Sequence, residues 1–329
     1  MRGCSVTNFK VLVTGGSGFI GTNLVCRLKE LGCAVLSLDV APPRNSDNFD
    51  VHHYCDICDL ELLAEAFELF KPNYVFHLAA RTDLCGKTLE DYRENIAGVE
   101  NLCKVLSSAH YVRHTVFASS MLVCRAGHIP STIEDVSPTT VYGKSKVEGE
   151  RIVKKWKAQV PRCTIVRPTS IWGPWFGEPY RNFFDIVLAG RYIRIGNASS
   201  TKTYGYVENT VNQIISISQS PDDRVEYYYI GDTPPLNVDE WSLSIVSLAG
   251  RRKPIKAPMF FFHSLALVGD ACNFVGLRFP FGSFRLRNMT TDNVVNCSPA
   301  EKSNAYPAVG QEEGIAKTLS WLKVPSVAK

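Results

Sequence analysis

A short apolar run that stops on a cluster of glycines and restarts as a helix constrains this chain more than any other feature. Phe9-Lys10-Val11-Leu12-Val13 leads into Thr14-Gly15-Gly16-Ser17-Gly18-Phe19-Ile20-Gly21. Leu24, Val25, Leu28 and Leu31 then keep helical spacing until Gly32. The run reads as a buried strand and the glycines as a tight turn into a helix. Glycine stands at 15, 18 and 21, and G-x-G-x-x-G is also satisfied from Gly16. Taken alone, such a pattern can serve as a plain turn. Between a strand and an amphipathic helix it suits a pyrophosphate, because the backbone can come close and the helix N-terminus offers N–H groups and partial positive charge. The expectation is a bound dinucleotide.

A second apolar strand, Ala34 to Leu38, closes at Asp39, 18 residues beyond Gly21. A carboxylate there accepts hydrogen bonds from ribose hydroxyls and repels a 2′-phosphate, which favours NAD over NADP. Further on, residues 59–70 read as a helix, Asn73 to Ala80 as a strand and Asp91 to Ser107 as a helix. Val112 to Ala118 follows as a strand, Thr140 to about Lys157 as a helix and Cys163 to Arg167 as a strand. This alternation predicts an α/β fold, a doubly wound parallel (Rossmann) sheet with a smaller C-terminal substrate-binding domain. The boundary is placed at 172: residues 1–172 bind the cofactor and 173–329 the substrate, with parts of about 203–232 returning to the first domain.

Composition narrows the function classes. At 45% apolar and 21% charged the chain is globular, and its net charge of +4 is spread out, with Arg251-Arg252-Lys253 the densest run. No nucleic-acid partner is expected. Eleven cysteines show no disulfide framework, which points to free thiols in a reducing, cytoplasmic setting. Met1 to Lys10 holds no apolar stretch of signal-peptide length. The longest mostly apolar run, Ala257 to Val268, contains His263 and is far short of a membrane span of about 20 residues. It is expected as a buried helix, with peripheral membrane contact as the lesser alternative.

Tyr142-Gly143-Lys144-Ser145-Lys146 places Tyr142 and Lys146 one helical turn apart. A free tyrosine, with a pKa of about 10, is a poor base at neutral pH, and a lysine ammonium close by makes the phenolate accessible. Ser119-Ser120 follow the strand Val116-Phe117-Ala118, at the sheet edge where active sites lie. A hydroxyl there can hydrogen-bond a reacting alcohol or ketone.

With these motifs the sequence resembles the extended short-chain dehydrogenases/reductases of the NAD-dependent epimerase/dehydratase family. The resemblance rests on Thr14 to Gly21, Asp39, Asp56-Ile57, His77-Leu78-Ala79-Ala80, Asn95, Ser119-Ser120, Tyr142 to Lys146 and Arg167-Pro168, in family order. More weakly, it includes Tyr204 to Asn209 and the closing helix Glu312 to Leu322. It implies a Ser120–Tyr142–Lys146 triad, adenine contacts from Asp56 and Ile57, and a cofactor cleft lined by Leu78, Ala79 and Ala80. It also implies that Gly15, Gly18, Phe19, Ile20, Gly21, Asn95 and Pro168 belong to the cofactor side, and that the protein is a homodimer through helices at about 91–107 and 141–157. Three departures touch the substrate side: Val123-Cys124-Arg125 where the family often has Val-Tyr-Gly, Ser170 where many nucleotide-sugar epimerases carry asparagine, and Lys202 near the place of a diphosphate-binding arginine. Arg285 or Arg287 is a second candidate cation, Asp83 a candidate for a sugar hydroxyl, and each has an ordinary surface role as its alternative.

Other signals are weaker. His52 to Cys58 holds two histidines and a C-x-x-C but no second ligand cluster, so no metal is expected. The aromatics Trp172, Trp175, Phe176 and Tyr180 suit packing better than base stacking. The expected activity is NAD-dependent epimerisation of a nucleotide sugar through a transient ketone. The alternative is a dehydrogenase or ketoreductase of a secondary alcohol, sugar or sterol-like. Least favoured is a non-catalytic NAD-binding regulator.

Overall fold

The computed structural model describes residues 9–178, 180–196, 200–220, 227–277, 279 and 281–325. Met1 to Asn8 of the N-terminal stretch, and 221–226 of the expected returning segment, lie outside the described residues. The strands are β1 (Lys10–Thr14), β2 (Ala34–Asp39), β3 (His52–Tyr54), β4 (Tyr74–His77), β5 (His114–Ala118) and β6 (Cys163–Pro168), joined by a strand at Tyr227–Ile230. They form one parallel sheet in the order Tyr227–Ile230, β6, β5, β4, β1, β2, β3. The chain reverses direction across the sheet at β1, between β2 and β4. The crevice at the carboxyl ends of β1 and β4 is therefore the natural ligand position.

Alternation along β1 shows how both faces are covered. Val11 and Val13 pack with Leu24 and Leu28 of α1 (Phe19–Glu30) and with Val211 and Ile214 of the helix Val207–Gln219. Leu12 packs on the other side with Leu63 and Phe67 of α2 (Leu60–Phe70), Leu102 and Leu106 of α3 (Val99–Ser108) and Val153 of α4 (Val141–Trp156). All three β1 residues have zero exposure, which is why the strand reads as an unbroken apolar run.

The expected helix at 91–107 is broken differently. A 3-10 turn at Glu90–Tyr92 and a π-helical segment at Glu94–Gly98 precede α3. Such bulges often mark functional positions, and this one contains Asn95.

The chain divides into two compact units. Unit 1 runs through Ile171 and adds Gly205–Asp232 and Asn296–Val309. Unit 2 comprises Trp172–Tyr204, Thr233–Val295 and the chain from Gly310. In unit 2 short two-residue strands pair Arg194–Ile195 with Lys256–Ala257, and Thr201–Lys202 with Leu236–Asn237. Its core is aromatic: Trp172 lies 5.3 Å from Trp241, and Trp241 stacks on Phe183 at 4.8 Å. Trp175 and Phe176 lie against Trp321 at 5.7 and 5.9 Å.

The expectation of a buried helix over Ala257 to Val268 is corrected. The helix Met259–Phe274 buries Phe262, Ala266 and Gly269 and leaves Phe260, Leu267 and Val268 exposed. Apolar residues run all round this helix, so hydropathy alone does not select the face that packs.

Candidate active site

The glycine turn is shaped by close contact. Gly15 has φ +75°, and a Cβ there would stand 2.4 Å from the Ala79 nitrogen, so no other residue fits. Leu78 and Ala79 are held alongside by hydrogen bonds from their N–H groups to the Thr14 carbonyl (2.9 Å) and the Thr14 hydroxyl (3.3 Å). Gly18 precedes the first turn of α1, so the half-buried Phe19 and Ile20 stand at the positive end of a twelve-residue helix. Asp39 ends β2, and its carboxylate accepts the Ser17 N–H at 2.9 Å and the Ala41 N–H at 3.0 Å. The Asp39 carboxylate is thereby tied to the glycine turn. Asp56 accepts from Arg93 at 3.1 Å and from the Cys58 N–H, and Ile57 is buried next to it.

The reacting side is assembled by α4. Thr140 caps this helix by accepting the Gly143 N–H at 3.0 Å. Glycine at 143 lets α4 approach the turn after β5, since a Cβ there would meet the Leu122 carbonyl oxygen at 2.3 Å. That turn begins at Ser120, whose hydroxyl oxygen accepts the Leu122 N–H at 3.1 Å. Tyr142, Lys146 and Glu150 follow at intervals of four on one face of α4, and all three are buried.

Lys146 donates to the Ala118 carbonyl at 3.0 Å. Burial pulls its ammonium down to about 8, against the opposing pull of Glu150. Glu150 is in turn held by Arg167 through two hydrogen bonds of 2.9 and 2.7 Å and accepts the Ser119 hydroxyl at 2.5 Å. Three hydrogen bonds from Arg167 and Ser119 thus fix the Glu150 carboxylate one turn beyond the lysine. His77, at the end of β4, is pushed down to about 3 by burial and then by the nearby Lys146 charge. It therefore stays neutral while its Nδ1 meets the Thr14 hydroxyl at 2.8 Å.

Asn95 connects the two sides. Its amide donates to Ser145 Oγ at 2.8 Å and to the Arg81 carbonyl at 3.0 Å, while its oxygen accepts the Arg81 N–H at 2.9 Å. The segment after β4 is so pinned to α4 one residue before Lys146. Tyr92, which donates to the Asp83 carbonyl at 2.8 Å, places its ring 6.0 Å from that of Tyr142.

The predicted cofactor and catalytic residues thus converge on one edge of unit 1, and Pro168 ends β6 there. The predicted substrate residues are more dispersed. Ser170 lies beside Met121, with Oγ 3.9 Å from the sulfur. Asp83 is exposed, its carboxylate held at about 2 by the hydrogen bond from Arg81 and then by the Cys85 N–H. In unit 2, Lys202 donates to the Asn288 carbonyl at 2.5 Å, on the same helix, Ser283–Thr290, that carries exposed Arg285. Glu150 and Tyr92 were not singled out from the sequence. Glu150 could have been found, since it continues the Tyr142–Lys146 spacing by one more turn.

A parallel sheet with this turn, this carboxylate and a buried tyrosine–lysine helix defines a dinucleotide-dependent enzyme of the Rossmann class. The model of the NAD dependent epimerase/dehydratase family matches residues 11–231, and the chain belongs to that family. Its cofactor is NAD, and the residues present fit it: the close Gly15 turn, Asp39 anchored at the end of β2 and the buried Lys146 all stand in unit 1. Among relatives, the chain is 29% identical to a 3-beta-hydroxysteroid dehydrogenase of Mycolicibacterium neoaurum, over 95% of this chain and 91% of that protein. It is also 29% identical to a UDP-glucose 4-epimerase of Mycolicibacterium smegmatis, over 95% and 98%. A crystal structure of UDP-glucose 4-epimerase with UDP-glucose from Thermotoga maritima matches with a TM-score of 0.73 at 22% identity, covering 95% of this chain and 98% of that one.

Proposed function

We propose that the protein is an NAD-dependent epimerase of a nucleotide sugar, acting through a transient ketone. The observation that carries this reading is the composition of the turn at Ser120. Tyr142 and Lys146 provide one route for a proton, while the residues after Ser120 are Met121 and Leu122, which can neither accept nor donate a second one. A ketone formed there has no acid–base pair to expel a neighbouring hydroxyl, so it survives until it is reduced again or released.

NAD, when bound, supplies the hydride acceptor and donor. Tyr142 takes the proton of a ring hydroxyl, often that on C4, and later returns it. Lys146 holds the nicotinamide ribose and favours the phenolate through its positive charge. Ser120 donates to the reacting oxygen, its own oxygen being occupied by the Leu122 N–H. Glu150 and Arg167 fix Lys146 and Ser119 without touching substrate. In this reading unit 1 binds NAD, and the substrate contacts are Asp83 and Ser170 of unit 1 and Lys202 and Arg285 of unit 2. The reading extends to a cytoplasmic enzyme and to a homodimer through α3 and α4. Sedimentation showing a monomer at micromolar concentration would remove the dimer.

The second reading, a net dehydrogenase of a secondary alcohol, is favoured by the steroid dehydrogenase relative. Following reduced-cofactor absorbance while NMR tracks a panel of UDP-sugars separates the two. An inverted ring carbon with no net reduced cofactor supports the epimerase. Reduced cofactor in step with a keto product moves the assignment to dehydrogenase.

A further inference from the structure

The helix Met259–Phe274 of unit 2 presents more apolar surface to solvent than its packing uses. Its inward stripe, Phe262 and Ala266, lies in a small cluster with Ile195 and Leu286. Phe260, Leu267 and Phe274 recur at intervals of seven and so fall on one line, and they are 73%, 68% and 93% exposed. Ser264 and Ala271 sit between them at intervals of four and three, so the outward strip runs the whole helix, about 24 Å. Exposed Phe261 and Val268 flank it, and Val275 and Leu277 extend it. Single apolar side chains on a surface are ordinary, but a continuous strip of this length marks an interaction site.

Charge identifies the partner. Arg251, Arg252, Lys253 and Lys256, all exposed, immediately precede the helix. The one carboxylate on the helix, Asp270, is committed to the Ser283 N–H at 3.1 and 3.3 Å. A second copy of the same face, laid in either direction, therefore brings at most the single carboxylate of Asp270 to four cations and leaves most of the positive charge unmatched. A lipid surface with anionic headgroups answers both halves, accepting aromatic side chains at the acyl boundary and cations at the phosphates. No described helix is long and apolar enough to cross a membrane.

We propose that this face docks the protein on the surface of an anionic bilayer, with the helix Met259–Phe274 lying in the interface. The proposal concerns unit 2 alone and does not depend on the sugar reading, because it is tested without substrate.

The test is co-sedimentation of the full chain with vesicles of equimolar phosphatidylglycerol and phosphatidylethanolamine, or of phosphatidylcholine alone, at low salt and at about 0.5 M NaCl. Binding to the anionic vesicles is expected, weakened about tenfold or more by neutral lipid or by salt. The triple variant Phe260→Ser, Leu267→Ser, Phe274→Ser and the triple variant Arg251→Glu, Arg252→Glu, Lys253→Glu should each lose about tenfold or more of this binding. An unchanged Tm and near-UV circular dichroism spectrum in both confirm that the variants are folded. Failure of the wild-type chain to bind either vesicle, or equal binding by wild type and both variants, overturns the proposal. So does an oligomer in solution that the Phe/Leu variant abolishes, because the strip would then be a contact between copies.

Discussion

In unit 1 the apolar residues of β1 are buried without remainder on both faces of the sheet, whereas in unit 2 an apolar helix keeps one long face in water. Both elements are apolar, and their difference lies in what fixes the geometry. Around the sheet, each side chain is constrained twice, by the core behind it and by the crevice in front. Gly15 lies against Ala79, and Gly143 against Leu122. Around the helix Met259–Phe274 only the inner stripe is constrained, and the outer residues are free to serve a surface. Small changes should therefore be costly in unit 1 and cheap in unit 2.

The largest break in that contrast comes from Tyr142→Phe. Turnover should fall about 10²-fold or more while NAD titration is largely unaffected, as expected when a general base is lost. A rate near wild type would place the base elsewhere.

Next in size is a paired glycine test. Gly143→Ala pushes a methyl group against a backbone carbonyl and should cost about 1–3 kcal/mol, seen as a lower Tm together with loss of activity. Gly177→Ala, in unit 2, meets open space and should stay within about 0.5 kcal/mol of wild type. Equal losses at both positions would contradict the comparison.

If Asp39 binds the ribose as proposed, Asp39→Ala should weaken NAD by about tenfold and narrow or reverse the preference over NADP, because a carboxylate there also repels a 2′-phosphate. Fluorescence titration of both cofactors measures this, and an unchanged NAD:NADP ratio would count against Asp39.

The last test is a pH dependence. Burial brings Lys146 down to about 8 from an ordinary 10.5, so between these values the unfolded chain binds the proton more tightly than the folded one. The group's stabilising contribution is therefore complete above 10.5 and is lost as pH falls through 8. The stability of wild type relative to Lys146→Met should rise across this window, by at most about 1.4 kcal/mol per pH unit. Denaturant titrations at several pH values give the slope. A flat difference would mean that Lys146 is not desolvated.

What could be read in advance follows the same division. The turn from Thr14 to Gly21, Asp39, and the Tyr142–Lys146 pair were legible because each depends on neighbours a few residues away. The π-helical segment was not, since it is set by Asn95 reaching Arg81 and Ser145, 14 and 50 residues distant. The bonding of Glu150 to Arg167 and Ser119 was hidden for the same reason, although its spacing on α4 was visible. Asn296–Val309 joins unit 1 through buried residues such as Ala300, after more than sixty residues of unit 2, and no local pattern announces that return. The helix Met259–Phe274 was misjudged because uniform hydrophobicity carries no direction.

In the proposed epimerisation one ring carbon is oxidised and re-reduced in place. The most direct measurement uses a UDP-sugar deuterated at that carbon, incubated with the enzyme and catalytic NAD. The expected product is an inverted carbon that keeps its deuterium, with no accumulation of reduced cofactor. Product that has lost the label, or a ketone released in step with reduced cofactor, would contradict it.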